Sequence, residues 1–174
     1  MKTGQIVEIP QESSIYKKEI PTFDSKEEEL FWKVKQREYS LFEGFIVGEH
    51  KGVEQFEIGQ RKGLNISGKK LPVYVIGIDE VENRVFVGQG KNHLGLFADV
   101  LHFTEKNINW LNKPIEDIVI EVQVFSSQLE NEITAKFYQF KDNYFLEFNT
   151  QIPLIIKNYT IGLSYENENV LILK

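Results

Sequence analysis

The chain has 174 residues, is 41% hydrophobic and 26% charged, and carries a formal net charge of −6. This is globular composition, enough for one large or two small domains, and its acidic balance excludes a generic polyanion binder, because non-specific nucleic-acid affinity comes from lysine and arginine. The absence of cysteine excludes disulfides, zinc-thiolate sites, iron–sulfur clusters and a cysteine nucleophile. No apolar run approaches the roughly 20 residues of a spanning helix, and the first residues, Met1-Lys2-Thr3-Gly4-Gln5, have no secretory h-region. The expectation is a soluble, cytoplasmic protein with no membrane partner.

Residues 4–9 alternate as a short strand that Pro10 ends. Residues 11–23, with Pro21, predict a loop or extended arm. Ser25 and Glu28 form a capping box, and the acidic first turn suits the helix dipole. Leu30, Phe31 and Val34 then supply a short apolar face. These signals predict a helix over Lys26–Tyr39, the one convincing helix in the chain. The pattern from there on is β: Phe42–Val47 interrupted at Gly44, Gln55–Ile58, and a hairpin over 72–88 turning at Val81-Glu82-Asn83. Leu94–Phe103 reads as a strand or a short helical turn, and Lys106–Asn112 as a connector around Trp110.

Pro114 marks a change of texture. Six short apolar segments follow: Ile118–Phe125, Glu132–Phe140, Tyr144–Phe148, Ile152–Ile156, Tyr159–Tyr165 and Val170–Leu173. Turn signals separate them, a spacing that suits a small antiparallel barrel, which leaves no apolar edge exposed. The fold class expected is mainly β: an N-terminal arm and helix (1–40), a small central β domain (41–113) and a six-stranded antiparallel β-barrel (114–174).

The chemistry-bearing motifs are few. Gly59-Gln60-Arg61-Lys62-Gly63 lacks the spacing of a P-loop, and no ATP pyrophosphate loop occurs. His50, His93 and His102 have no metal-binding spacing and read as surface or loop histidines; no metal is expected. Asp79-Glu80 and Glu116-Asp117 lie at turns, and Glu27-Glu28-Glu29 opens the helix, so caps and turns account for these carboxylates. Ser67 sits in a loop with no triad motif.

What remains is a basic stretch. Lys51, Arg61, Lys62, Lys69 and Lys70 fall within 20 residues, interleaved with Phe56 and Tyr74. Such a set can hold phosphates and stack a base. A solvated hairpin end, whose charges keep a sheet edge soluble, is the plainer reading. An enzyme of unrelated chemistry on an all-β frame is a third.

Several spaced motifs resemble one family. They are Val47-Gly48-Glu49-His50-Lys51-Gly52, Phe56-Glu57-Ile58-Gly59-Gln60-Arg61-Lys62-Gly63-Leu64, Pro72-Val73-Tyr74-Val75, Asn83-Arg84-Val85-Phe86-Val87-Gly88 and Asn109-Trp110-Leu111. In order and spacing, from about Gly44 to Leu111, they are similar to the tRNA-specific 2-thiouridylases. Over 115–174 the likeness rests on strand pattern. Those proteins join an ATP-using catalytic domain to a small central domain and a C-terminal β-barrel. This sequence has no counterpart of the family's ATP loop or catalytic cysteines. It also departs from the family at Val124-Phe125-Ser126-Ser127, at Asn158-Tyr159-Thr160 and over Asn169–Lys174.

The resemblance implies a non-catalytic accessory module for tRNA thiolation, with no cofactor and with two partners, tRNA and a separate thiouridylase-type catalytic domain. Lys51, Gln60, Arg61, Lys62, Lys69 and Lys70 would then face RNA, while Gly48, Gly52, Gly59 and Gly63 shape the loop. The alternative is a protein-interaction module that docks a separate ATP-dependent catalytic subunit and binds no RNA.

Overall fold

The computed structural model describes residues 3–112 and 118–174; among them the fold is mainly β with one α-helix. The chain divides into two compact units, Met1–Thr22 with Lys35–Phe97 and Phe23–Val34 with Ala98–Lys174. This differs from the division expected at 40/41 and 113/114, because the helix and residues 98–112 belong to the second unit. Pro114, like the Glu116-Asp117 pair, lies outside the described residues.

The first unit holds a four-stranded sheet of β1 (Gly4–Glu8), β2 (Phe45–His50), β3 (Val73–Asp79) and β4 (Arg84–Gln89), in the order β2-β1-β4-β3. β1 runs antiparallel to β2 and parallel to β4, and β3 and β4 form the predicted hairpin. The hairpin turn is held by Asp79, whose Oδ1 accepts the N–H groups of Val81 and Glu82 at 3.0 Å each. Such an Asx turn accounts for that carboxylate.

Both faces of this sheet are covered. Ile6, Val73, Val75, Val85 and Val87 pack with Phe56 and Leu64 on one side. Val7, Ile9, Ile76 and Phe86 pack with Ile15 and Tyr39 on the other. The period-2 side-chain alternation of β4 sends Val85 and Val87 one way and Phe86 the other. The strand expected over Gln55–Ile58 is absent. A 3-10 turn, Val53–Gln55, and a further turn take its place and drop Phe56 into the core. The apolar spacing of Phe56 and Ile58 reflects packing against the sheet and not strand pairing.

In the second unit, α1 (Lys26–Lys35) accompanies a seven-stranded sheet curled into a half-barrel. Its strands are β5 (Phe97–Thr104), β6 (Ile108–Trp110), β7 (Val119–Phe125), β8 (Ile133–Phe140), β9 (Asn143–Pro153), β10 (Ile161–Tyr165) and β11 (Glu168–Leu173), in the order β5-β9-β8-β7-β10-β11-β6. The six segments expected after Pro114 become five strands. Tyr144–Phe148 continues unbroken into β9, and residues 154–158 are a 3-10 turn. β5 and β6 are recruited from upstream. The alternation of Ile118, Ile120, Val122 and Val124 predicts one buried face; Ile120, Val122 and Val124 in β7 are buried, whereas Ile118, just before the strand, is 64% exposed.

α1 is capped as read: Ser25 Oγ accepts the Glu28 N–H at 3.2 Å. The Glu28 carboxylate reaches one residue further back than a capping box requires, to the Asp24 N–H at 3.0 Å. Leu30, fully buried, packs with Val100, Tyr138 and Phe145. The helix stops at Lys35, short of the expected Tyr39, and Tyr39 is buried in the first unit with its hydroxyl 2.9 Å from that of Tyr16. Lys26 and Lys33 both reach Glu147 Oε1 at 2.8 Å, and Tyr138 donates to Glu147 Oε2 at 3.0 Å.

Candidate nucleic-acid interface

The Gly59–Gly63 loop is built onto an exposed sheet edge. β3 is the last strand of its sheet, so one side of its backbone would otherwise go unpaired. The Gly59 N–H donates to Val75 O at 2.8 Å, and the Val75 N–H donates to Gln60 O at 2.9 Å. Gly59 and Gly63 take φ of 83° and 81°, the left-handed region where a Cβ is strained, so glycine at both ends allows the loop to turn away from β3 and back. Between them Gln60 braces the loop. Its Oε1 accepts the Glu57 N–H and its Nε2 donates to Lys62 O, each at 2.9 Å.

Beyond the loop the chain forms an open hollow of about 540 Å3. Arg61, Lys69 and Lys70 line it, together with backbone around Gly63 and Gly68. Lys51, Gln60 and Lys62 do not line it. Arg61, Lys62 and Lys70 are exposed and make no ion pair among the described residues. Lys69 differs from them: its ammonium lies 2.6 Å from Glu8 Oε2, an ion pair outside hydrogen-bond angles, and 5.3 Å from the centre of the Phe45 ring. Glu8 is buried and its other oxygen accepts from Gln89 Nε2 at 2.7 Å. A buried carboxylate needs such partners, so Lys69 is held as structure.

The remaining expected site residues are scattered. Lys51 is exposed just after β2. Gly48 lies inside β2, where an added Cβ would sit an ordinary 3.6 Å from the nearest atom of Ile6. Gly52 donates its N–H to His50 Nδ1 at 3.1 Å. Of the two aromatics, Phe56 is buried edge-on against His50, whereas Tyr74 is half-buried and lines a groove.

The histidines correct the expectation of surface or loop positions. His50 and His93 are 6% and 1% exposed. Each accepts, through Nδ1, the N–H of a glycine two residues on, Gly52 and Gly95. His93 Nε2 lies 3.0 Å from Ile9 O and donates to it, since Nδ1 is occupied as an acceptor. Burial pushes the His93 pKa down, against the opposing pull of the Ile9 carbonyl. The signal for this role was the repeated His-x-Gly spacing at His50-Lys51-Gly52 and His93-Leu94-Gly95. No cluster of His, Cys, Asp or Glu that could hold a metal occurs among the described residues, and none of their helices is long and apolar enough to cross a membrane.

Residues 31–89 match the family model described as the tRNA methyl transferase PRC-barrel domain. The tRNA-specific 2-thiouridylase MnmA of Karelsulcia muelleri (strain GWSS) is 38% identical over 157 residues, 90% of this chain and 38% of the relative. The protein of the same name from Flavobacterium johnsoniae (strain UW101) is 30% identical over 172 residues, 97% of this chain and 44% of the relative. That from Christiangramia forsetii (strain KT0803) is 37% identical over 114 residues, 66% of this chain and 29% of the relative. This chain thus spans about two fifths of the length of the Karelsulcia and Flavobacterium relatives. The spaced loop motifs, the mainly β units and these matches together make the chain a member of the tRNA-specific 2-thiouridylase family, similar to part of its relatives' length.

Proposed function

We propose that the chain is a cytoplasmic tRNA-binding accessory module of tRNA thiolation, without chemistry of its own. The observation that carries this reading is the basic hollow: Arg61 and Lys70 line it unpaired while the neighbouring Lys69 is neutralised by Glu8. Unpaired cations around a concave, polar surface are what phosphate contacts require, and they can act locally on an otherwise acidic protein. The relatives are named tRNA-specific 2-thiouridylases, which supports the choice of RNA. Lys62 and Lys51 add charge outside the hollow. The test is binding of labelled tRNA by fluorescence anisotropy at low salt. Arg61→Ala/Lys70→Ala is expected to weaken binding at least about tenfold, and Lys51→Ala to change it less. Equal affinity of the wild type and the double variant would refute an RNA role for this surface.

A second reading is favoured by one observation. β2 is the other edge of its sheet; Phe45 and Ile46 on it are 50% and 53% exposed, and Phe42, in the 3-10 turn just before it, is 98% exposed. An apolar edge of this kind suits docking of another polypeptide, in this reading a separate ATP-dependent catalytic subunit. Recovery of such a subunit from cells, unaffected by ribonuclease and lost in Phe42→Ser/Ile46→Ser, would favour docking over RNA binding.

A further inference from the structure

The segment Lys70–Pro72 lines two depressions of the first unit. One is the basic hollow. The other is a groove of about 710 Å3, whose apolar wall is made by Ile9, Pro10, Leu71, Pro72 and Tyr74. Tyr74 is the one aromatic of the basic stretch left accessible. It stands on β3 directly opposite Gly88 of β4, so its cross-strand neighbour has no side chain to cover the ring. Gly88 is there for a reason: a Cβ would come within 2.5 Å of the His93 ring. His93 is itself fixed by the Ile9 carbonyl and the Gly95 N–H. The groove is therefore backed by a locked, buried ring.

The charges and polar groups around it are unequal in availability. Glu8 is occupied by Lys69 and Gln89, and both ends of the Gln89 amide are used, one accepting the Leu71 N–H. Glu12 is exposed and is the acidic group left at the groove. Lys70 and Lys91, also exposed, oppose it. Gln11 and Asn92 line the groove with amides that make no side-chain hydrogen bond among the described residues.

We propose that this groove seats one unpaired nucleotide of an RNA strand, its base against Tyr74 and its phosphate in the adjoining hollow between Arg61 and Lys70. The proposal rests on the RNA-binding reading and extends it from phosphate contact to base contact. Aromatic stacking next to a cationic groove is the usual means of holding single-stranded nucleic acid. The juxtaposition favours a nucleotide over a peptide because the apolar wall and the free cations meet at one shared segment. The free amides offer donors and acceptors to a base edge.

The experiment compares three labelled probes on the whole chain by anisotropy: a short oligouridylate, an abasic ribose-phosphate oligomer of the same length, and a blunt RNA duplex. The oligouridylate is expected to bind about 5- to 150-fold more tightly than the abasic oligomer, the span of one stacked base, and more tightly than the duplex. Tyr74→Phe should keep that preference and Tyr74→Ala should abolish it. The abasic probe and Tyr74→Phe keep the comparison valid if Tyr74→Ala fails to fold. Equal, Arg61-dependent binding of the base-containing and abasic oligomers overturns the nucleotide groove and leaves the phosphate reading standing. Failure of every RNA probe overturns both. Binding of a proline-containing peptide in place of any RNA assigns the groove to a protein.

Discussion

Lys69 places its ammonium 2.6 Å from Glu8, pairing a loop lysine with a carboxylate on the second sheet strand in space, and this contact separates two lysines that are neighbours in the chain. Lys69 is a structural tie; Lys70, exposed, makes no ion pair among the described residues. Lys69→Ala leaves the Glu8 charge buried with one amide partner. We expect a loss of about 1–3 kcal/mol in unfolding free energy. tRNA affinity at a temperature where the variant is folded should stay close to wild type. Chemical denaturation checks the first and anisotropy the second. In Lys69→Ala/Glu8→Gln part of the stability should return, because the uncompensated charge is gone.

Gln60 is expected to act through the loop and not on the ligand. Gln60→Ala removes two hydrogen bonds that brace Arg61 and Lys62, each worth about 1 kcal/mol. RNA affinity should fall modestly, whereas Arg61→Lys, which keeps charge and loop, should retain most of it. Gly63→Ala has room, with Gln60 Nε2 3.7 Å from the added carbon, but φ of 81° strains it by about 1–2 kcal/mol. Differential melting of the two variants measures both costs.

The loop itself was legible in the sequence, and so were the hairpin, the helix start and the alternation of β7. Gly59 and Gly63 announced a turn, Ser25 a cap, and Val122 and Val124 a buried face. Which charges were free was not legible. Lys69 and Lys70 are identical by type and adjacent, and only the fold brings Glu8, some sixty residues upstream, to one of them. The Gln55–Ile58 strand failed because burial alone explains the spacing of Phe56 and Ile58. The curled antiparallel sheet has seven strands where six were expected, because β5 and β6 enter it from before Pro114, a long-range pairing no local pattern encodes. His50 and His93 became buried caps through contacts with glycines, a role short motifs seldom disclose.

The second unit carries its own pH signature. Burial would raise the Glu147 carboxyl, but the Lys26 and Lys33 ammonium groups outweigh it and hold its pKa at about 2, against an ordinary 4.5. A carboxylate with a depressed folded pKa stabilises the fold above its unfolded value. That contribution is lost as pH falls from about 4.5 toward about 2. After allowance for solvent screening it amounts to about 1–3 kcal/mol. Thermal unfolding across that range should show a falling melting temperature, and Glu147→Gln should flatten the fall. A variant as pH-sensitive as wild type would remove Glu147 from this role.

Leu30 fixes α1 to the second unit. It is fully buried against Val100, Tyr138 and Phe145. Leu30→Ala is expected to cost about 2–5 kcal/mol through lost burial and the cavity left behind. Phe145, also fully buried, should show a comparable cost on truncation to Ala. The two costs should add to less than their sum, because the side chains touch.

The most direct test of the central claim is the salt dependence of tRNA binding. Titration of wild type and Arg61→Ala/Lys70→Ala across a salt series gives two slopes of log affinity against log salt concentration. Each phosphate contact contributes slightly less than one to the slope. If the hollow is an RNA phosphate seat, the double variant's slope should be shallower by about two. Parallel lines for the two proteins would contradict it.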